Sequence, residues 1–169
     1  MKWCTIDKEF INYLKGFEPK IPDVNYGVTK LKPFFNPLFK VGNLVYVSQV
    51  TSPKPRHSLL KDDIDFIKLF VGTNLIGVVN LNYMFPVPSH LITEIEYSNI
   101  DMFKQFQSEK EKNSYIVLLK REMKEIKNKN IDRAAENLYQ RKCTFPNDRV
   151  SKRCLEFKEL EKYSINYEI

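Results

Sequence analysis

Hydrophobic positions along this chain follow two periods, and the switch between them divides it. In the first hundred or so residues the apolar positions come in short runs of strand length, bounded by Gly, Asn, Asp and Pro. Trp3–Ile6 is the first run. Asp7 stands where an N-cap belongs, with Phe10, Leu14 and Phe17 behind it at helical spacing and Gly16 and Pro19 to stop the helix. Residues 19 to 30 carry Pro, Asp, Asn and Gly, which predicts a loop. Phe34–Val41 and Leu44–Val50 flank Gly42-Asn43, and Phe66–Val71 and Leu75–Asn80 flank Gly72-Thr73-Asn74; each pair predicts a hairpin. Leu91–Glu96 predicts one more strand.

Further on the period lengthens. Ile116, Leu119, Met123 and Ile126 form one helical stripe. Ile131, Ala134, Ala135 and Leu138 form a second after a break at Asn128–Asn130, and Val150, Cys154, Phe157 and Leu160 form a third behind Pro146. Strands first and helices later predict an α+β fold, an antiparallel sheet covered by helices with a helical C-terminal half. With 169 residues and no repeat or low-complexity linker, residues 1–169 read as a single domain.

Composition narrows the classes of function. No apolar run approaches the ~18 residues of a membrane span, and Met1–Ile6 is too short and polar for a secretory leader; the expected compartment is the cytoplasm. Cys4, Cys143 and Cys154 are odd in number and lack C-x-x-C spacing, so neither a disulfide framework nor a zinc ribbon is expected. The net charge is +6, and its distribution matters more than its size. From Lys20 to Lys61 seven basic residues face one acid; from Lys127 to Arg153 there are eight (Lys127, Lys129, Arg133, Arg141, Lys142, Arg149, Lys152, Arg153) against three. Such stretches suit nucleic acid, or ordinary solvated surface.

The usual phosphate-loop, dinucleotide, zincin and nucleophile-elbow motifs are absent, and there are only two histidines, His57 and His90. Asp62-Asp63-x-Asp65 is the one acidic cluster; a solvent-facing turn is the expectation there, ahead of a metal site, and neither metal nor cofactor is expected. The unusual segment is Thr51-Ser52-Pro53-Lys54-Pro55-Arg56-His57. It follows a strongly apolar strand and sets two hydroxyls, two cations and an imidazole on a backbone stiffened by alternate prolines. A plain Pro-rich surface turn is the competing reading.

These residues carry a resemblance. Lys2-Trp3-Cys4-Thr5-Ile6, Tyr13-Leu14, Tyr26 in a loop, Lys32-Pro33-Phe34 entering a strand, Thr51-Ser52-Pro53-Lys54-x-x-His57, and Gly77-x-x-Asn80-Leu81 before Met84-x-Pro86-Val87 resemble, in order and spacing, the ToxN/AbiQ family of type III toxin–antitoxin toxins. The resemblance implies a metal-independent endoribonuclease cutting cellular RNA. It implies a strongly curved antiparallel sheet like that of the Kid/MazF toxins. It also implies inhibition by a pseudoknot-like repeat RNA that the toxin processes, in a closed assembly of alternating toxin and RNA, with no membrane partner.

Cutting RNA without metal uses the adjacent 2′-hydroxyl, so a site must deprotonate it, protonate the leaving 5′-oxygen and stabilise the phosphorane. The resemblance assigns the last task to Lys54. Ser52 would position the phosphate or relay a proton, and Thr51 would hydrogen-bond a phosphate oxygen. Tyr26 would stack on a base or act through its phenol. His57 would transfer a proton or structure the loop. Arg56 and either Lys30 or Lys32 would bind phosphates, joined by the C-terminal basic residues. Asn80 would anchor the sheet behind the loop, and His90 lies outside every motif. The alternative is a non-catalytic RNA-binding adaptor using the same basic surface.

Overall fold

A computed structural model describes residues 1–24 and 29–167. Among them are eight strands, β1 (Lys2–Ile6), β2 (Phe34–Asn36), β3 (Lys40–Val41), β4 (Leu44–Thr51), β5 (Phe66–Val71), β6 (Asn74–Asn80), β7 (Phe85–Pro88) and β8 (Ile92–Glu94). The helices are α1 (Lys8–Lys15), α2 (Pro55–Leu59), α3 (Glu109–Asn128), α4 (Ile131–Thr144) and α5 (Phe157–Ile165). Every strand pairing is antiparallel, in the order β5-β6-β4-β2-β1-β8, with β3 and β7 added to β4.

β4 explains the curl of the sheet. Each of its edges changes partner halfway. Leu44 and Val45 pair with β3 and Ser48 and Gln49 with β2 on one edge; on the other, Leu44–Val47 pair with β7, and Val50 and Thr51 with β6. A strand that hands over partners on both edges lets the sheet bend there, because the pairings on either side of the hand-over share β4. Both faces of β4 are covered, since Leu44 to Val50 are all buried. That burial matches its near-continuous apolar run.

Local signals in the sequence act where they stand. Asp7 caps α1 by accepting a hydrogen bond from the Phe10 N–H at 3.0 Å. Gly42 and Gly72 take φ of 56° and 60° in the two hairpin turns, where a Cβ would be strained. The helical layer is tied to the sheet by polar bonds inside apolar packing. Glu161 Oε1 accepts from Tyr46 Oη at 2.9 Å and Tyr139 Oη at 2.6 Å, joining α5 to β4 and α4. Trp3 Nε1 donates to the Leu119 carbonyl of α3 at 3.2 Å.

Two expectations change, and one strand is added. The run Phe34–Val41 is two strands rather than one, because Pro37 has no N–H to keep the ladder going. The third apolar stripe is not one helix. Its four members are buried, but Ser151–Arg153 is a single 3₁₀ turn, and the chain then extends so that Leu155 N–H reaches the Asn82 carbonyl at 3.0 Å before α5 begins. β7 has no counterpart in the sequence pattern: Pro86 and Pro88 argue against a strand, yet as an edge pairing only with β4 it tolerates both.

Candidate active site

The end of β4, the start of β5, α2 and the 3₁₀ turn after β6 enclose a groove of 610 Å³. Lys32, Thr51, Lys54, Arg56 and His57 line it, all named from the sequence. Thr51 closes β4 by pairing with Val78. The proline-rich segment after it is less loop-like than expected: Pro55 starts α2, a helix of five residues, as proline does at a first helical position.

His57 locks this turn. Its Nδ1 accepts from the Lys54 backbone N–H at 3.2 Å, and its backbone N–H donates to the Lys54 carbonyl at 2.8 Å. An accepting Nδ1 belongs to a neutral imidazole. Burial, then Arg56, Lys54 and Lys68, hold its pKa below the usual histidine value. The imidazole packs edge-on against Phe66, centroids 5.8 Å apart. Structuring the Lys54 turn is therefore the geometry found for His57.

Of Lys30 and Lys32, it is Lys32 that lines the groove, and Lys30 is exposed on the segment before it. The chain is pinned here from two sides, with Tyr115 Oη donating to the Leu31 carbonyl at 2.8 Å and Gln49 Nε2 to the Lys32 carbonyl at 3.0 Å. Burial and the neighbouring Lys54 charge lower the Lys32 pKa. Tyr26 lies outside the described residues.

Ser52 is exposed, and it lines a separate cavity of 60 Å³ under α3, shared with Lys32, Tyr115 and Glu122. Lys32 borders both spaces. Glu122 is buried, at 6% exposure. Burial pushes its carboxyl up to about 8. Gly77 makes room for it, since a Cβ there would stand 3.1 Å from Glu122 Oε1 and 2.4 Å from Val50 Cγ1. The acid falls between Leu119 and Met123 of the helical stripe, the one hint the sequence held.

The raised value has a sign. In the unfolded chain the carboxyl ionises near 4.5, so between there and about 8 the folded state binds the extra proton and stability falls as pH rises. Glu122→Gln should remove that slope. Thermal unfolding should show little difference from wild type at pH 4.5 and a Tm higher by several degrees at pH 9, at about 2–4 °C per kcal/mol.

The acidic cluster is engaged with cations. Arg153 donates to Asp63 Oδ2 at 2.8 Å and Asp65 Oδ1 at 2.6 Å, and this bond holds the Asp63 carboxyl below its usual range. Asp62 Oδ1 accepts from the Lys68 N–H at 3.2 Å. Among the described residues no group of three or more His, Cys, Asp or Glu is placed to hold a metal ion.

Several of the C-terminal cations are engaged by acids. Arg153 borders the groove but is bound by two carboxylates, with Arg149 4.0 Å from the same Asp63. Arg141 pairs with Asp148 at 2.6 Å, and Lys142, buried, pairs with Glu156 at 2.7 Å. Lys127 lines a different cavity beside Lys2 and Trp3. Lys129, Arg133 and Lys152 are exposed. A count of charges along the sequence does not show these acid partners. Sequence reading also missed Asn82 and the exposed Tyr83, which line the groove beside Asn80; their signal was an aromatic among asparagines after an apolar strand.

A family model described as "Toxin ToxN, type III toxin-antitoxin system" matches residues 2–164. The chain is 29% identical over 121 residues to the Endoribonuclease ToxN of Pectobacterium atrosepticum, an alignment covering 63% of this chain and 70% of that protein. Its fold is similar to that of AbiQ, a lactococcal anti-phage endoribonuclease of a type III toxin–antitoxin system, with TM-score 0.77, 18% identity, and 97% and 95% of the two chains covered. It is also similar to a structure described as a processed non-coding RNA regulating a bacterial antiviral system, with TM-score 0.80, 22% identity and full coverage of both chains. A third, described with selective toxin inhibition by a non-coding RNA pseudoknot, gives TM-score 0.76 and 21% identity, covering 98% and 96%.

Proposed function

The chain belongs to the ToxN toxin family of type III toxin–antitoxin systems, and from that premise we propose that it is a metal-independent endoribonuclease held inactive by a small structured RNA. The observation that carries the reading is the groove in which Lys32, Thr51, Lys54, Arg56 and His57 converge. Its substrate is cellular RNA in the cytoplasm. Its inhibitor is a pseudoknot-like repeat RNA, cut from a longer transcript by the same site and closed with the toxin into an alternating assembly. No helix among the described residues is long and apolar enough to cross a membrane.

The scissile phosphate sits at Lys54, whose ammonium meets the charge that grows on the phosphorane. Lys32, desolvated and beside a second cation, gives up a proton more readily than an ordinary lysine, which suits it to draw the proton from the 2′-hydroxyl. Ser52 and Thr51 hydrogen-bond phosphate oxygens from either side of the strand end. Arg56 holds a neighbouring phosphate. His57 keeps the Lys54 turn in shape, and stacking on a base or action through a phenol on the leaving oxygen falls to Tyr26.

Because Asp63 and Asp65 are bound by Arg153, no free pair of carboxylates for magnesium lines the groove among the described residues. Cleavage of a single-stranded RNA should therefore proceed unchanged in EDTA and leave a 2′,3′-cyclic phosphate and a 5′-hydroxyl. Loss of cleavage on chelation, restored by magnesium, would replace this mechanism with metal-assisted hydrolysis.

A further inference from the structure

The outward face of β5 carries an alternation that the cleavage chemistry leaves unused. Phe66, Lys68 and Phe70 occupy every second position and share one face. Leu69, between them, is fully buried, and Ile67 packs on the core. The register irregularity at Leu69/Phe70 leaves the extra residue on β6, so β5 keeps its alternation. Phe66 is occupied by His57. Phe70 is not: it is half-buried, lies outside the hydrophobic core and has no ring partner among the described residues.

Phe70 lines a second groove, of 520 Å³, on the flank of Lys54 away from His57. Pro53, Pro55 and Leu75 complete its apolar wall, Lys54 and Lys68 supply charge, and Asn74 offers an amide. No carboxylate lines it. Lys54 is common to this groove and the catalytic one, so a strand with its scissile phosphate at Lys54 has a groove on each side.

Resting on the endoribonuclease reading, we infer that this second groove is a nucleobase subsite: one unstacked base of the RNA strand, next to the cleaved phosphate, stacks on Phe70 while a flanking phosphate lies at Lys68. An aromatic face between two cations and polar groups is the arrangement that binds single strands. Its volume falls within the ~300–1,000 Å³ of small-ligand pockets, room for one base and its sugar. A peptide would find an apolar wall here but no partner for its own cations.

The test uses single-stranded RNA oligonucleotides with one abasic nucleotide walked along both sides of the cleavage site. Wild type should lose roughly 5- to 100-fold in kcat/KM at one position adjacent to the cut, the range expected for one stacked base. Phe70→Ala should lose the same on the intact strand and nothing further on that abasic strand, while Phe70→Trp should keep wild-type preference. Equal cutting of the intact strand by Phe70→Ala and wild type, or additive losses at every position, would overturn the subsite and leave the groove for a non-nucleotide partner. If neither protein cuts RNA, anisotropy binding of the same strands decides separately. An abasic penalty that Phe70→Ala abolishes keeps the subsite and rejects the nuclease; no such penalty rejects the subsite.

Discussion

Lys54→Met should lower the single-turnover rate of RNA cleavage by roughly 10²–10³-fold, the usual loss when one preorganised charge partner of a transition state is removed. The expectation rests on how firmly Lys54 is placed. Its N–H is bound by His57 Nδ1 at 3.2 Å and its carbonyl by the His57 N–H at 2.8 Å, and Pro55 stiffens the next residue. These bonds fix the backbone from which the Lys54 side chain reaches the groove, and an ammonium aimed at charge that grows only on the phosphorane is differential stabilisation. In ground-state binding of the antitoxin RNA it would be one contact among several, beside Lys32, Arg56 and Lys68. Affinity should fall far less than rate when both are measured on the same purified variant. An equal fall would make Lys54 a phosphate anchor and move transition-state stabilisation to Lys32.

Ser52→Ala should cost a similar roughly 10²–10³-fold in rate while leaving RNA affinity within a few-fold of wild type. Ser52 follows the last residue of β4 and lines the narrow cavity it shares with Lys32 and Glu122. From there its hydroxyl can bond a phosphate oxygen on the side opposite Thr51 and pass a proton toward Lys32. Removing one oxygen from an exposed residue leaves the fold intact, so the loss should appear in kcat and not in Tm. A variant that binds and cuts like wild type would exclude Ser52 from the chemistry. A wild-type protein that binds without cutting would make the chain an RNA-binding adaptor.

Much of the fold was legible because its signals are local. Asp7 caps α1, Gly42 and Gly72 turn the hairpins, and Leu119, Met123 and Ile126 face the core from α3. β7 was hidden because Pro86 and Pro88 contradict a strand everywhere except at an edge. The helical stripe after Pro146 misled because burial alone carries no statement about backbone: Leu155 reaches the Asn82 carbonyl, a contact made across the chain.

The site divides the same way. Thr51-Ser52-Pro53-Lys54-x-x-His57 lies in one stretch and was readable. What surrounds it comes from elsewhere: Tyr83 from the turn after β6, Glu122 from α3, Arg153 from the segment before α5. Lys32 borders both cavities where Tyr115 and Gln49 pin the chain, contacts that no spacing in the sequence distinguishes from a placement of Lys30 there. Lys142 and Arg153 counted as surface charge until Glu156 and the Asp63–Asp65 pair were found beside them.

The central claim is that this chain cuts RNA through the strand's own 2′-hydroxyl. The direct measurement is single-turnover cleavage, in EDTA, of two oligonucleotides that differ only by one 2′-deoxynucleotide on the 5′ side of the cut. The account predicts that the all-ribose strand is cut to a 2′,3′-cyclic phosphate and that the deoxy strand survives at that bond while still binding. Cleavage of the deoxy strand at the same bond would show that the nucleophile is water or an enzyme group, and would contradict the mechanism assigned to Lys32, Ser52 and Lys54.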